Sequence, residues 1–224
     1  MNSGIIAIAA TLLLATPALA AEQGYGVVLG GRQLGWVIFD SGAGISKVRS
    51  QFDNTPLGVF NGSYTGASRP GSGSGATVYK GNSSSSNKAR EVTITRAADG
   101  HLTDVLITPQ KDRTDLSVAT NVPPGVLDPV EGFGRLISGK SCPSPFALYD
   151  GRRVVQVTSG ASTTSGTVTT CDIAYKVVLG PGHLSPLYLK NITIRMEYDS
   201  AKAKTGVTLM RLRSGIFEVD FVRG

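Results

Sequence analysis

Residues 122–155, VPPGVLDPVEGFGRLISGKSCPSPFALYDGRRVV, decide how the rest of the chain is read. The stretch predicts the one convincing helix, over residues 128–139. Asp128 suits the N-cap, and Pro129 suits the first helical position, where a missing N–H costs nothing. Glu131 completes a capping box with Asp128. Val130, Phe133 and Ile137 then fall on one stripe, with Leu136 beside it. Gly139 supplies the residue without a Cβ that a left-handed C-cap favours. A helix of roughly ten residues is unstable alone in water, so its stripe must be buried against a sheet. Beyond it stand Cys142 and an Asp150-Gly151 turn leading into a strand.

Working outward, the chain reads as strands and turns. Residues 25–29 and 33–40 flank Gly30-Gly31 as a hairpin. Leu34, Trp36 and Ile38 share one face and Val37 and Phe39 the other, which predicts a strand covered on both sides. Residues 45–52 fit either a strand or a helical turn, and 57–64 resume as strand. The Gly/Ser-rich runs 68–75 and 81–87 read as loops. Alternation is clean over 91–96, and cleaner still after the helix. Ile173, Tyr175, Val177 and Leu179 share a face, as do Ile192, Ile194, Met196 and Tyr198, and Phe217, Val219 and Phe221. The count is roughly eleven to thirteen short strands. The predicted class is mostly β: a strongly curved antiparallel sheet, as a β-spiral or incomplete barrel, packed on one short helix.

Residues 1–20 carry no charge, contain an apolar run and end in Ala18-Leu19-Ala20, the pattern of a cleaved signal peptide. The run is well below the ~20 residues that span a bilayer, so an integral membrane protein is not expected. Residues 21–224 then form a single β-rich domain. In an oxidising compartment, Cys142 and Cys171 are most simply one disulfide, contributing about 3–4 kcal/mol in the chain-entropy model. Metal binding is the rival, but His101 and His183 lack ligand spacing relative to the two thiols. No metal and no cofactor are expected.

Gly134 to Ser141 satisfies the phosphate-loop pattern G-x-x-x-x-G-K-S. It occupies a helix and its C-terminus, where carbonyls repel phosphate, so nucleotide is not expected. There is no nucleophile elbow, and His101 and His183 read as exposed turn residues. Asp128 and Glu131 are accounted for by capping, and Asp150 by its turn. No catalytic residue is assigned. The net charge of +6, with Arg152-Arg153, Arg211 and Arg213 among the basic positions, fits attraction to anionic envelope components. Recognition helices and aromatic-basic stacking motifs are missing, so nucleic acid is not an expected partner.

Asp128-Pro129-Val130, then Cys142, then Tyr149-Asp150-Gly151-Arg152-Arg153 resembles the bacterial periplasmic family called domain of unknown function 3108. After the double arginine that family often has Tyr-Asp, where this chain has Val154-Val155. The resemblance implies a periplasmic location and makes Asp128, Pro129, Asp150, Gly151, Arg152 and Arg153 its motif residues. It carries no agreed activity. At fold level the chain is similar to periplasmic proteins whose curved sheet wraps a helix, some carrying lipids or lipoproteins and others supporting envelope integrity. The leading expectation is a non-enzymatic periplasmic protein that binds an envelope protein or anionic lipid, or supports the envelope. A lipid or lipoprotein carrier with an apolar cavity is the alternative, and a hydrolase without a recognisable motif is the second.

Overall fold

The computed structural model describes residues 21–53, 55, 61–85, 88–183, 188–202 and 206–224. The expected signal peptide, residues 1–20, and residues 57–60 of the strand expected over 57–64 lie outside the described residues, while 62–64 are strand. Among the described residues are thirteen strands and one α-helix. β1 to β7 are Ala21–Leu29, Arg32–Gly42, Ile45–Phe52, Gly62–Pro70, Thr77–Ser85, Lys88–Arg96 and Leu102–Thr108. After the single helix α1 (Pro129–Ile137) come β8 to β13: Phe146–Tyr149, Val154–Ser165, Val168–Leu179, Asn191–Asp199, Val207–Ser214 and Phe217–Arg223.

All thirteen join one antiparallel sheet in the order β7-β6-β5-β4-β3-β2-β1-β13-β12-β11-β10-β9-β8. Each half is a meander of sequential hairpins. The halves meet where β1 pairs with β13, with Tyr25 opposite Arg223 and Val27 opposite Phe221. The sheet is not closed, and its edges are β7 and β8. Residues between them cover the gap. The carbonyl of Leu127 accepts from Tyr149 N, and Leu127 N donates to the Ala147 carbonyl, forming a parallel bridge to β8. On the other side Gly125 N donates to the Gly100 carbonyl beside β7. The fold is therefore the strongly curved, incomplete barrel that the alternation predicts.

The helix lies inside this wrap, packed on β3, β4 and β8. Its start follows the capping logic. Asp128 Oδ1 accepts from Val130 N at 2.8 Å and Glu131 N at 2.9 Å, while Glu131 Oε2 accepts from Asp128 N at 3.2 Å. Arg96 of β6 then grips Glu131 with two bonds of 2.7 and 2.8 Å and donates to the Val126 carbonyl. Burial and the adjacent Glu131 carboxylate push the Asp128 pKa up to about 6, against hydrogen bonds from Glu131 N, Ser68 and Val130 N that favour the anion. Val130 and Ile137 are fully buried, and Phe133 meets Tyr25 and Phe39 edge-on at 6.4 and 6.2 Å. The helix ends differently from expectation. Its C-cap is Ser138 with right-handed backbone, and Gly139 does not adopt a positive φ.

Residues 45–52 are strand, one of the two readings the sequence allows. Several expectations are corrected. Of the Gly/Ser-rich runs, 71–75 form the expected loop, but 68–70 and 81–85 are strand, because β4 and β5 are each paired on both sides and the ladder outweighs their low strand propensity. Leu34 faces inward rather than beside Trp36. A register shift opposite Val27/Val28 inserts an extra residue and turns Leu34 into the interior. Trp36 is 39% exposed, so the outer face of that strand is not covered. Cys142 and Cys171 form the expected disulfide, with Cα atoms 5.6 Å apart, tying the segment after the helix to β10. No helix among the described residues is long and apolar enough to cross a membrane.

Candidate functional site

The helix fills one end of the interior, where Ile137 approaches Gly206 and Phe133 meets Tyr25 and Phe39. The other end holds two adjoining chambers of about 330 and 340 Å³, each within the size of small-molecule pockets (about 300–1,000 Å³). They lie on the same inner face. Val48 and Phe52 of β3 line one each, and so do the cross-strand partners Tyr175 and Ile192. His183 and Leu189, joined by two backbone hydrogen bonds of 2.8 Å, likewise contribute one residue to each.

The second chamber is apolar. Val27, Leu34, Phe52, Leu189, Ile192, Leu212, Phe217, Val219 and Phe221 form its wall. The inward residues of β13 and β11 are those whose alternation marked a buried face. The sheet therefore presents apolar side chains to a space that no side chain of the described residues occupies.

The first chamber is amphipathic. Tyr64 and Tyr79 donate and accept a hydroxyl–hydroxyl bond of 2.9 Å over the facing pair Gly66 and Gly81. A Cβ at Gly81 would stand 1.9 Å from the Tyr79 hydroxyl, and one at Gly66 would stand 2.3 Å from that of Tyr64. Each ring thus folds back over a glycine two residues later on its own strand. Burial raises both phenol pKa values, so both rings stay neutral hydrogen-bonding groups.

Opposite them, the Tyr175 hydroxyl bonds His183 Nε2 at 2.8 Å. Burial first, and then the Arg153 guanidinium, hold the His183 pKa down to about 4, so the imidazole is neutral at pH 7. This corrects the expected exposed turn: His183 is drawn in because its ring packs on Tyr175, with centroids 5.5 Å apart. The hydrogen bond of its ring is to a tyrosine rather than a serine. His101 is exposed, as expected, beside Asp99.

The motif residues meet around these chambers. Asp128 starts the helix, and Pro129 lines the amphipathic chamber. Asp150 lines it too, and its Oδ1 accepts from Arg152 N and Arg153 N at 3.0 Å each. Gly151 has φ +95°, and a Cβ there would also press on Val92 and Ile107. Arg153 is 6% exposed, correcting its reading as surface charge; its Nε stands 2.9 Å from Asp150 Oδ2. Arg90, a wall residue, is bound to Asp112 at 2.7 Å. Arg90, Arg152 and Arg153 are set among Asp112 and Asp150, three cations to two carboxylates, and the Arg90 and Arg153 charges help pull the Arg152 pKa down, after burial itself.

Sequence reasoning missed Tyr64, Tyr79, Tyr175 and Arg90 as site residues, and it offered an apolar cavity as an alternative without locating its wall. The signal for the first two was present as Tyr64-Thr65-Gly66 and Tyr79-Lys80-Gly81, a bulky residue followed on the same face by none. Comparison with protein-family models, with curated proteins and with solved structures finds no match for this chain.

Proposed function

We propose that this protein is a non-catalytic carrier of the bacterial cell envelope that holds an amphipathic small molecule inside its sheet. The observation that carries the reading is the pair of adjoining chambers, one walled by aliphatic and phenyl groups and one by phenols, an imidazole, a guanidinium and the Asp150 carboxylate, which is already occupied by Arg152 N, Arg153 N and the Arg153 guanidinium. An acyl tail suits the first. A polar or anionic head suits the second, beside Arg90 and the excess positive charge. The uncharged leader at residues 1–20, the disulfide, and the resemblance of Asp128-Pro129 and Asp150-Gly151-Arg152-Arg153 to a periplasmic family support export. A role in envelope integrity through a protein partner draws on the same export features, without a feature as specific as this interior.

Burying a tail of about ten methylenes supplies about 8 kcal/mol before ordering costs. A Kd between micromolar and sub-millimolar is therefore expected for dodecanoate, read by displacement of a fluorescent fatty acid from delipidated protein. Leu212→Trp fills the apolar chamber and should abolish binding while leaving the melting temperature in place. Arg90→Gln should weaken dodecanoate more than dodecanol. No binding by the wild type, or equal binding by the Leu212→Trp variant, would remove the proposal.

A further inference from the structure

We infer that the end of the sheet around Tyr188, Ile216 and Phe217 docks on an anionic lipid surface. The purpose of such docking, loading and release of the ligand, rests on the carrier reading; the contact itself does not. Ile216 is 94% exposed, Tyr188 58% and Phe217 44%.

Register brings the three together. Ser214 pairs with Phe217, which leaves Gly215 and Ile216 as the tip of the β12–β13 hairpin. The Ser214 hydroxyl donates to the Asn191 carbonyl at 2.8 Å, Asn191 pairs with Lys176, and Val177 N donates to the Lys190 carbonyl at 2.8 Å. Tyr188 precedes Lys190 by two positions, so it stands at the same end of the adjacent strands. Tyr188 also has φ +46°, a left-handed backbone uncommon outside glycine. Single exposed apolar residues are ordinary, but three at one strand end mark a contact surface.

Two further observations select lipid as the occupant. The rim is continuous with the interior, because Phe217, Ser214 and Leu189 also line the apolar chamber. A molecule passing between bilayer and chamber along this margin would stay against apolar groups. The rim is also basic. Exposed Lys176, Lys190 and Arg213 flank it, with Arg32 in the neighbouring β1–β2 hairpin. Glu218 among them is tied to Arg213 at 2.9 Å, and Asp220 further in is tied to Arg211 at 2.8 Å. Anionic headgroups meet this excess, and aromatic and aliphatic side chains enter the headgroup boundary.

The test is flotation of the full chain with vesicles of phosphatidylcholine mixed with phosphatidylglycerol, against phosphatidylcholine alone. The wild type should float with the mixed vesicles, less so with the neutral ones and less at high salt. Ile216→Asp should weaken partitioning roughly tenfold or more with unchanged melting, and Tyr188→Ser should act in the same direction. Absence of flotation, or flotation undiminished in Ile216→Asp, overturns the inference. So does a wild-type dimer in sedimentation that Ile216→Asp converts to monomer without any flotation, since a second copy then covers the rim. Dodecanoate binding measured without vesicles reads the chamber separately, so either idea can fail while the other stands.

Discussion

Arg96→Ala is expected to destabilise the protein by about 2–3 kcal/mol, because it cuts the clamp that seats the helix at the floor of the chambers. The guanidinium makes two bonds to the Glu131 carboxylate and one to the Val126 carbonyl, at 2.7–2.8 Å. Its removal leaves Glu131 facing the buried Asp128 carboxylate, with the Val126 carbonyl unpaired by it. Breaking a fully buried pair costs about 3–5 kcal/mol. Here the Arg96 and Glu131 side chains keep 15% and 23% of their exposure, so water recovers part of that cost. Glu131→Gln keeps a residue able to complete the capping box and should cost about 1 kcal/mol. The double variant should lose less than the sum of the two, with a coupling of about 1–2 kcal/mol. Urea unfolding followed by far-UV circular dichroism measures all four proteins. A variant within about 0.5 kcal/mol of wild type, or a coupling of zero, would refute the clamp.

Three other outcomes follow from the same geometry. His183 has a folded pKa of about 4 against an ordinary 6.5, so its contribution is complete above the higher value and is lost as pH falls towards the lower. Between pH 7 and 4.5 the wild type should lose about 2–3 kcal/mol more than His183→Gln, and parallel stability curves for the two would contradict the burial. Gly81→Ala forces a methyl against the Tyr79 hydroxyl and should cost about 1–3 kcal/mol in thermal or urea unfolding; an unchanged midpoint would show that the ring can move aside freely. Replacing Cys142 and Cys171 by serine should lower stability by about 3–4 kcal/mol under non-reducing conditions, a difference that should vanish when both proteins are compared in reductant.

What could be read from the sequence was local. Asp128, Pro129 and Glu131 announce the helix start because capping acts within four residues, and Phe217, Val219 and Phe221 announce a buried face because side chains alternate. Alternation is silent about partners, so nothing in residues 21–29 shows that β1 pairs with β13. Leu34 was misplaced because one inserted residue reverses every face after it. Residues 68–70 and 81–85 read as loop but are strand, because their serines, glycine and neighbours form ladders through backbone groups. His183 and Arg153 read as solvent-facing because their residue types favour the surface, and the contacts with Tyr175 and Asp150 that draw them in have no signature in spacing. The chambers exist only once both halves of the sheet have come together.

The seam between β1 and β13 gives the final strand an unusual weight. A chain delivered from its amino end presents the middle of its sheet last, so until Phe217–Arg223 arrives, β1 and β12 are both raw edges able to pair with another molecule. Loss of those seven residues would split the sheet into two hairpin arrays held together through the helix and the segment before it. A permutant that joins Gly224 to Gly24, which are hydrogen-bonded at 3.1 Å, and opens the chain between α1 and β8 would place every strand next to its partner in sequence. Its mean contact separation would drop, and it should fold faster than the natural order allows.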